Sequence, residues 1–159
     1  MPQSNLKTVY LSLIIAFICL LFPWSGYMLK LRPDFVLLAI IFWLIRAPSL
    51  CNLGTAWFAG LFVDLATGGI FGQYALAYTA TAYAAVVYQK RLVLFNHTQQ
   101  LLYVFFLLII SQVVVLILKA FSGIPLFGAS YFLPSFTGAL MWRVAVALGL
   151  NTGGRARGT

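Results

Sequence analysis

The chain has 159 residues, 63% of them hydrophobic and only 8% charged, with Lys and Arg outnumbering Asp and Glu by 10 to 2 for a formal charge of +8. Soluble domains carry about 25% charged residues, so this composition excludes a water-soluble core and leaves no length for an added soluble domain. The basic residues stand singly or as one pair between apolar runs, with no continuous basic face, which speaks against nucleic acid as their partner.

A membrane-crossing helix needs about 20 predominantly apolar residues, or about 17 at the short end, so the chain accommodates roughly six with short connections. The expected fold is all-α: a polytopic integral membrane bundle forming one domain over residues 1–150, followed by a disordered cytoplasmic tail over 151–159 with Arg155 and Arg157. The first helix is predicted over 6–22 and closed by Pro23, with Trp24 to Tyr27 as an aromatic interface segment. It ends in Phe22-Pro23-Trp24 instead of a small-residue cleavage site, so it is expected to be retained.

The second helix is predicted to begin at Pro33, a favoured first position, with Asp34 beside it at the positive helix terminus, and to stop at Arg46-Ala47-Pro48. The third is predicted over 52–66. Roughly 15 residues at about 1.5 Å each reach only about 22 Å, against a hydrocarbon core of about 30 Å. Neither helix of this pair is an ordinary crossing. A glycine turn over 67–72 leads to a fourth helix over 74–88, a fifth follows over 101–121 and a sixth over 131–150.

Short loops rich in Lys and Arg favour the cytoplasm. With six spans, Lys7, Arg46, Lys90, Arg91, Arg155 and Arg157 fall on one side and only Lys30, Arg32 and Lys119 on the other. Both termini are therefore expected in the cytoplasm.

Charge inside an apolar span is costly, so Asp64 is the residue most in need of a partner. Ala56, Gly60, Asp64 and Gly68 recur every four residues on one helix face, where small side chains let another helix approach closely. Arg32, expected on the same membrane side, is the candidate partner of Asp64. The fourth helix, rich in alanine and threonine with Tyr74 and Tyr78, suits close packing, and Ser111 and Gln112 suit bonds to a neighbouring helix. Catalytic groupings are missing: His97 is the single histidine, and two aspartates without glutamate offer no acid–base pair. No metal or cofactor is expected, and Cys19 and Cys51 read as small hydrophobes.

Leu31-Arg32-Pro33-Asp34-Phe35-Val36, then Trp43, Pro48 and Asn52-Leu53-Gly54-Thr55-Ala56, then Gly60-Leu61-Phe62-Val63-Asp64-Leu65 through Gly68 and Gly72, resembles the rod shape-determining MreD family. The resemblance is strongest over residues 23–87. It implies a non-enzymatic inner-membrane scaffold of the cell-elongation machinery that makes peptidoglycan in rod-shaped bacteria. Its implied partners are the bitopic protein MreC and, through it, MreB, RodA and a penicillin-binding transpeptidase, within a setting of membrane lipids. The small-residue faces of the third and fourth helices are the expected docking surface for the MreC helix. The family is also similar in architecture to the substrate-binding components of energy-coupling-factor transporters. That similarity implies an alternative, transporter-like role with a lipid precursor or small molecule in an outward-facing cavity. Carried over as sensitive positions are Arg32, Pro33, Asp34, Asp64, Gly68 and Gly72, with Ala56 and Gly60 added by the helix face.

Overall fold

The computed structural model describes residues 6–92, 94–125 and 128–153, and every regular element among them is a helix. In chain order these are α1 (Leu6–Leu21), α2 (Tyr27–Leu31), α3 (Phe35–Arg46), α4 (Leu53–Thr67), α5 (Gln73–Leu92), α6 (His97–Phe121), a 3₁₀ turn (Ala129–Phe132) and α7 (Leu133–Gly153). The helical class is as expected from the sequence. The last helix runs past the expected boundary at residue 150 to Gly153, and the remainder of the expected tail, 154–159, lies outside the described residues.

Where helices start and stop follows from side chains that satisfy exposed backbone groups. At the α3 start, Asp34 has a non-helical backbone and its Oδ1 accepts the Leu37 N–H at 3.3 Å. Asp34 is therefore the N-cap, and the helix begins at Phe35 instead of Pro33. Asn52 caps α4 in the same way, accepting the Thr55 N–H at 3.2 Å. The segment Asn96 to Gln99, expected as loop, opens α6: the Asn96 N–H donates to Gln99 Oε1 at 3.3 Å. α5 extends beyond residue 88 to take Lys90 and Arg91 into its last turn, where cations suit the negative end of the helix. The five-residue α2 lies within the stretch expected to be irregular, entered through Gly26 at φ +62°.

At the α1 carboxyl end, Trp24 Nε1–H donates to the Cys19 carbonyl at 3.0 Å and the Arg32 Nη1–H to the Leu20 carbonyl at 3.2 Å. These bonds hold the interface segment over the helix end. α3 lies at the centre of the molecule, with Val36, Leu37, Ile40, Ile41 and Leu44 all buried. α1 packs on one of its sides, α5 on another, and α5 in turn carries α4 and α6, with α7 against α6. A bond of 2.6 Å from Trp43 Nε1–H to the Ser12 hydroxyl ties α3 to α1.

The outward faces are apolar. Ile14 and Ile18 of α1, Phe58 and Phe62 of α4, Phe106 of α6 and Leu140 of α7 are 55 to 67% exposed. Soluble monomers rarely show contiguous apolar patches beyond a few hundred Å², so this surface suits lipid. Among the described residues one stretch, Thr98–Phe121 of α6, is long and apolar enough by length and composition to cross a bilayer, whereas α1, α3 and α4 are apolar but shorter. α3, at 12 residues, spans about 18 Å.

Candidate functional site

The predicted site residues separate into two groups. The first is a lock between α4 and α5. Asp64, 3% exposed, accepts the Gly72 N–H at 3.0 Å and the Ala75 N–H at 3.2 Å on Oδ2, and the Tyr74 N–H at 2.9 Å on Oδ1. These are N–H groups at the start of α5 that have no partner within their own helix. A carboxylate there also meets the positive end of the helix dipole. The connection is tight because Gly68 closes α4 in the left-handed region at φ +64°, its N–H donating to the Asp64 carbonyl at 3.1 Å, and Gly72 enters α5 at φ +93°.

Ala56 and Gly60 lie on the same buried face of α4 as Asp64. At Gly60 the α5 backbone comes so close that an added Cβ would stand 2.4 Å from Ala75 Cα. Over Ala56, Gly60 and Asp64 the small-residue face predicted from the four-residue spacing is thus present and α5 fills it, whereas Gly68 is an exposed helix cap that takes no part in it. This corrects two expectations. The faces of α4 and α5 assigned to an outside helix are turned towards each other. Asp64 does not pair with Arg32, because its oxygens are taken by three backbone donors while the guanidinium bonds the Leu20 carbonyl.

The second group is Arg32, Pro33 and Asp34, which join α1, α3 and α5. Besides capping α3, Asp34 Oδ1 accepts the hydroxyl of the fully buried Tyr78 at 2.5 Å. A bond to a charged group contributes about 1.5–3 kcal/mol. Tyr78→Phe is therefore expected to lower stability by about that amount. In a cycle with Asp34→Ala, measured by unfolding in detergent, the double variant should cost clearly less than the sum of the singles. Additive costs would show that the bond contributes nothing.

These three residues also line a cavity of about 440 Å³ at one end of the bundle. The carboxyl ends of α1, α4 and α6 meet the amino ends of α3, α5 and α7 there, as expected of consecutive helices that alternate in direction. Lys30, Tyr74, Ser111, Gln112, Lys119, Ser130 and Tyr131 complete its polar wall. Sequence reasoning assigned Ser111 and Gln112 to helix contacts, and Gln112 Oε1 does accept the Ser135 hydroxyl of α7 at 2.7 Å. Lys30 and Lys119 were legible only as loop-side cations. They stand far apart in sequence and meet only because α2 and the end of α6 adjoin the same opening.

An apolar groove of about 660 Å³ runs on the outside between α1 and α4, walled by Ile14, Phe17, Phe58 and Phe62 and lined also by Gly54, Ala59 and Val36. It exists because α1 is held by α3 while α4 is held by α5, leaving a valley over the start of α3.

Fold and surface together define a small, all-helical, membrane-associated protein. A family model described as rod shape-determining protein MreD matches residues 3–149, and the chain belongs to that family, whose role is the determination of rod shape. It is 28% identical over 138 residues to the "Rod shape-determining protein MreD" of Haemophilus influenzae (strain ATCC 51907 / DSM 11121 / KW20 / Rd), covering 85% of this chain and 83% of that protein. No solved structure matches. The family is a shape-determining one and not a known family of enzymes.

Proposed function

We propose that this chain is a multi-pass scaffold of the bacterial inner membrane, with both termini in the cytoplasm, that catalyses no reaction. It binds the transmembrane helix of MreC, and so helps to place the elongation synthase, RodA with its penicillin-binding transpeptidase, under the control of MreB. Family membership supports the role in cell shape. The observation that carries the docking reading is the groove between α1 and α4. It is apolar, faces outward, and has the small residues Gly54 and Ala59 where a second helix would need close approach.

Inside lipid, packing and not the hydrophobic effect drives helix association, so a preformed valley matters more than an apolar surface as such. A photo-crosslinking residue placed at Ile14 or Phe58 is expected to capture MreC in membranes, and one at the more exposed Leu140 of α7 is not. Capture confined to Leu140 would remove the groove as the docking site. Purification in mild detergent should recover MreC with the chain, whereas recovery of a transporter ATPase module alone would overturn the scaffold reading.

A further inference from the structure

We infer that the polar cavity at the α3 amino end is a binding site for a phosphate-type oxyanion, carried on a lipid headgroup or free. This stands independently of how MreC docks. Three cations, Lys30, Arg32 and Lys119, converge on the cavity from α2, the following loop and α6, and a single carboxylate, Asp34, shares it. Asp34 and Asp64 are the chain's only acidic side chains. Asp64 is held by three backbone N–H groups, and Asp34 takes the Leu37 N–H and the Tyr78 hydroxyl.

Neither lysine draws its partner from those carboxylates; each lies over an aromatic ring instead. Lys119 Nζ is 5.3 Å from the Tyr131 ring centre and Lys30 Nζ is 6.0 Å from that of Tyr27. In the orientation proposed above, these cations are on the translocated side, against the tendency of Lys and Arg to remain in the cytoplasm. Neutralising each other is not open to them, so an anion from outside the chain is the partner their placement suits.

The remaining polar wall narrows the chemistry. With its Oε1 bonded by Ser135, Gln112 has both N–H donors of its amide left to offer, and Ser111 and Ser130 add hydroxyls. Cations on three separate segments surround an anion better if it presents three acceptor oxygens, as a phosphate does, than if it is a planar carboxylate with two. Leu20, Val63 and Val115 supply an apolar part of the wall, which would suit the first carbons of a lipid. At about 440 Å³ the space exceeds what a bare phosphate fills and lies within the range of small-molecule sites.

The test uses the full chain in phosphatidylcholine nanodiscs, with calorimetric titration of three probes: dihexanoyl phosphatidic acid, inorganic phosphate and dihexanoyl phosphatidylcholine. Phosphatidic acid is expected to bind saturably and phosphatidylcholine not to. K30Q/K119Q should weaken that binding about tenfold or more, since two charge-assisted contacts are lost. K90Q/R91Q, which removes the same charge at the other end of α5, should leave it unchanged. Arg32 is left intact because it also holds the end of α1.

Binding of phosphatidic acid alone assigns the anion to a lipid; binding of inorganic phosphate with similar affinity assigns it to a free anion. Equal binding of phosphatidylcholine, equal losses in both double variants, or no saturable binding of any probe would overturn the proposal. An unchanged helical circular dichroism spectrum for K30Q/K119Q ties its loss of binding to the missing charges.

Discussion

Gly60→Ala is expected to be among the most damaging small substitutions in the chain. The added methyl would meet Ala75 Cα at 2.4 Å, Ala75 N at 2.6 Å and the Tyr74 carbonyl oxygen at 2.6 Å. All three are backbone atoms of α5, so no side-chain rotation relieves the clash and the two helices must separate. Overpacking a well-packed interior costs about 1–3 kcal/mol, occasionally more. This site belongs at the upper end, because separation also lengthens the bonds from Asp64 to the Gly72, Tyr74 and Ala75 N–H groups. Gly69→Ala is the matched control, since its nearest contact would be the Thr67 hydroxyl at 3.9 Å. Thermal unfolding in detergent should show a large loss for the first and little change for the second. Equal stability of the two would mean that α4 and α5 do not pack as described.

The second large effect concerns Asp64. Asparagine keeps the shape but replaces one acceptor oxygen by an NH₂ group facing backbone donors. Asp64→Asn is expected to cost about 2–4 kcal/mol, combining lost charge-assisted bonds with a donor left unsatisfied. Asp64→Ala, which abandons all three N–H groups, should cost more. Because Arg32 bonds the α1 carbonyl and not Asp64, the cycle of Asp64→Asn with Arg32→Gln should be additive within about 0.5 kcal/mol. A double variant no worse than the worse single would restore the ion pair expected from topology.

The hydropathy of the chain was enough to read its helical class and the approximate place of each long helix. Boundaries shifted where a polar side chain bonded local backbone: Asp34 became a cap outside α3, and Asn96 to Gln99 became the first turn of α6. The four-residue spacing correctly predicted a face for close approach at Ala56, Gly60 and Asp64, though not at the exposed cap Gly68, and periodicity does not say which helix fills it. Proximity in sequence was the better guide here, since a five-residue connection with three glycines leaves α5 little choice but to fold back along α4. The Asp64 role was hidden for a related reason. A buried carboxylate invites a search for a cation, whereas backbone N–H groups at a helix start satisfy it without leaving any mark in composition. Lys30 and Lys119 could not be joined from the sequence at all, because their sharing one cavity depends on where α2 comes to rest against the end of α6.

The brevity of α3 has a consequence for the shape of the whole molecule. Twelve residues in α3 stand beside 25 in α6, a shortfall of roughly 20 Å of helix. Since α3 is enclosed by its neighbours, its brevity bears on the interior of the protein and not on the outward apolar surface. Pro33 and Asp34, just before α3, line the cavity together with Tyr74 of α5 and Ser111 and Gln112 of the longer α6. The Arg32-Pro33-Asp34 segment thus opens on the cavity while the helix that follows it stays buried.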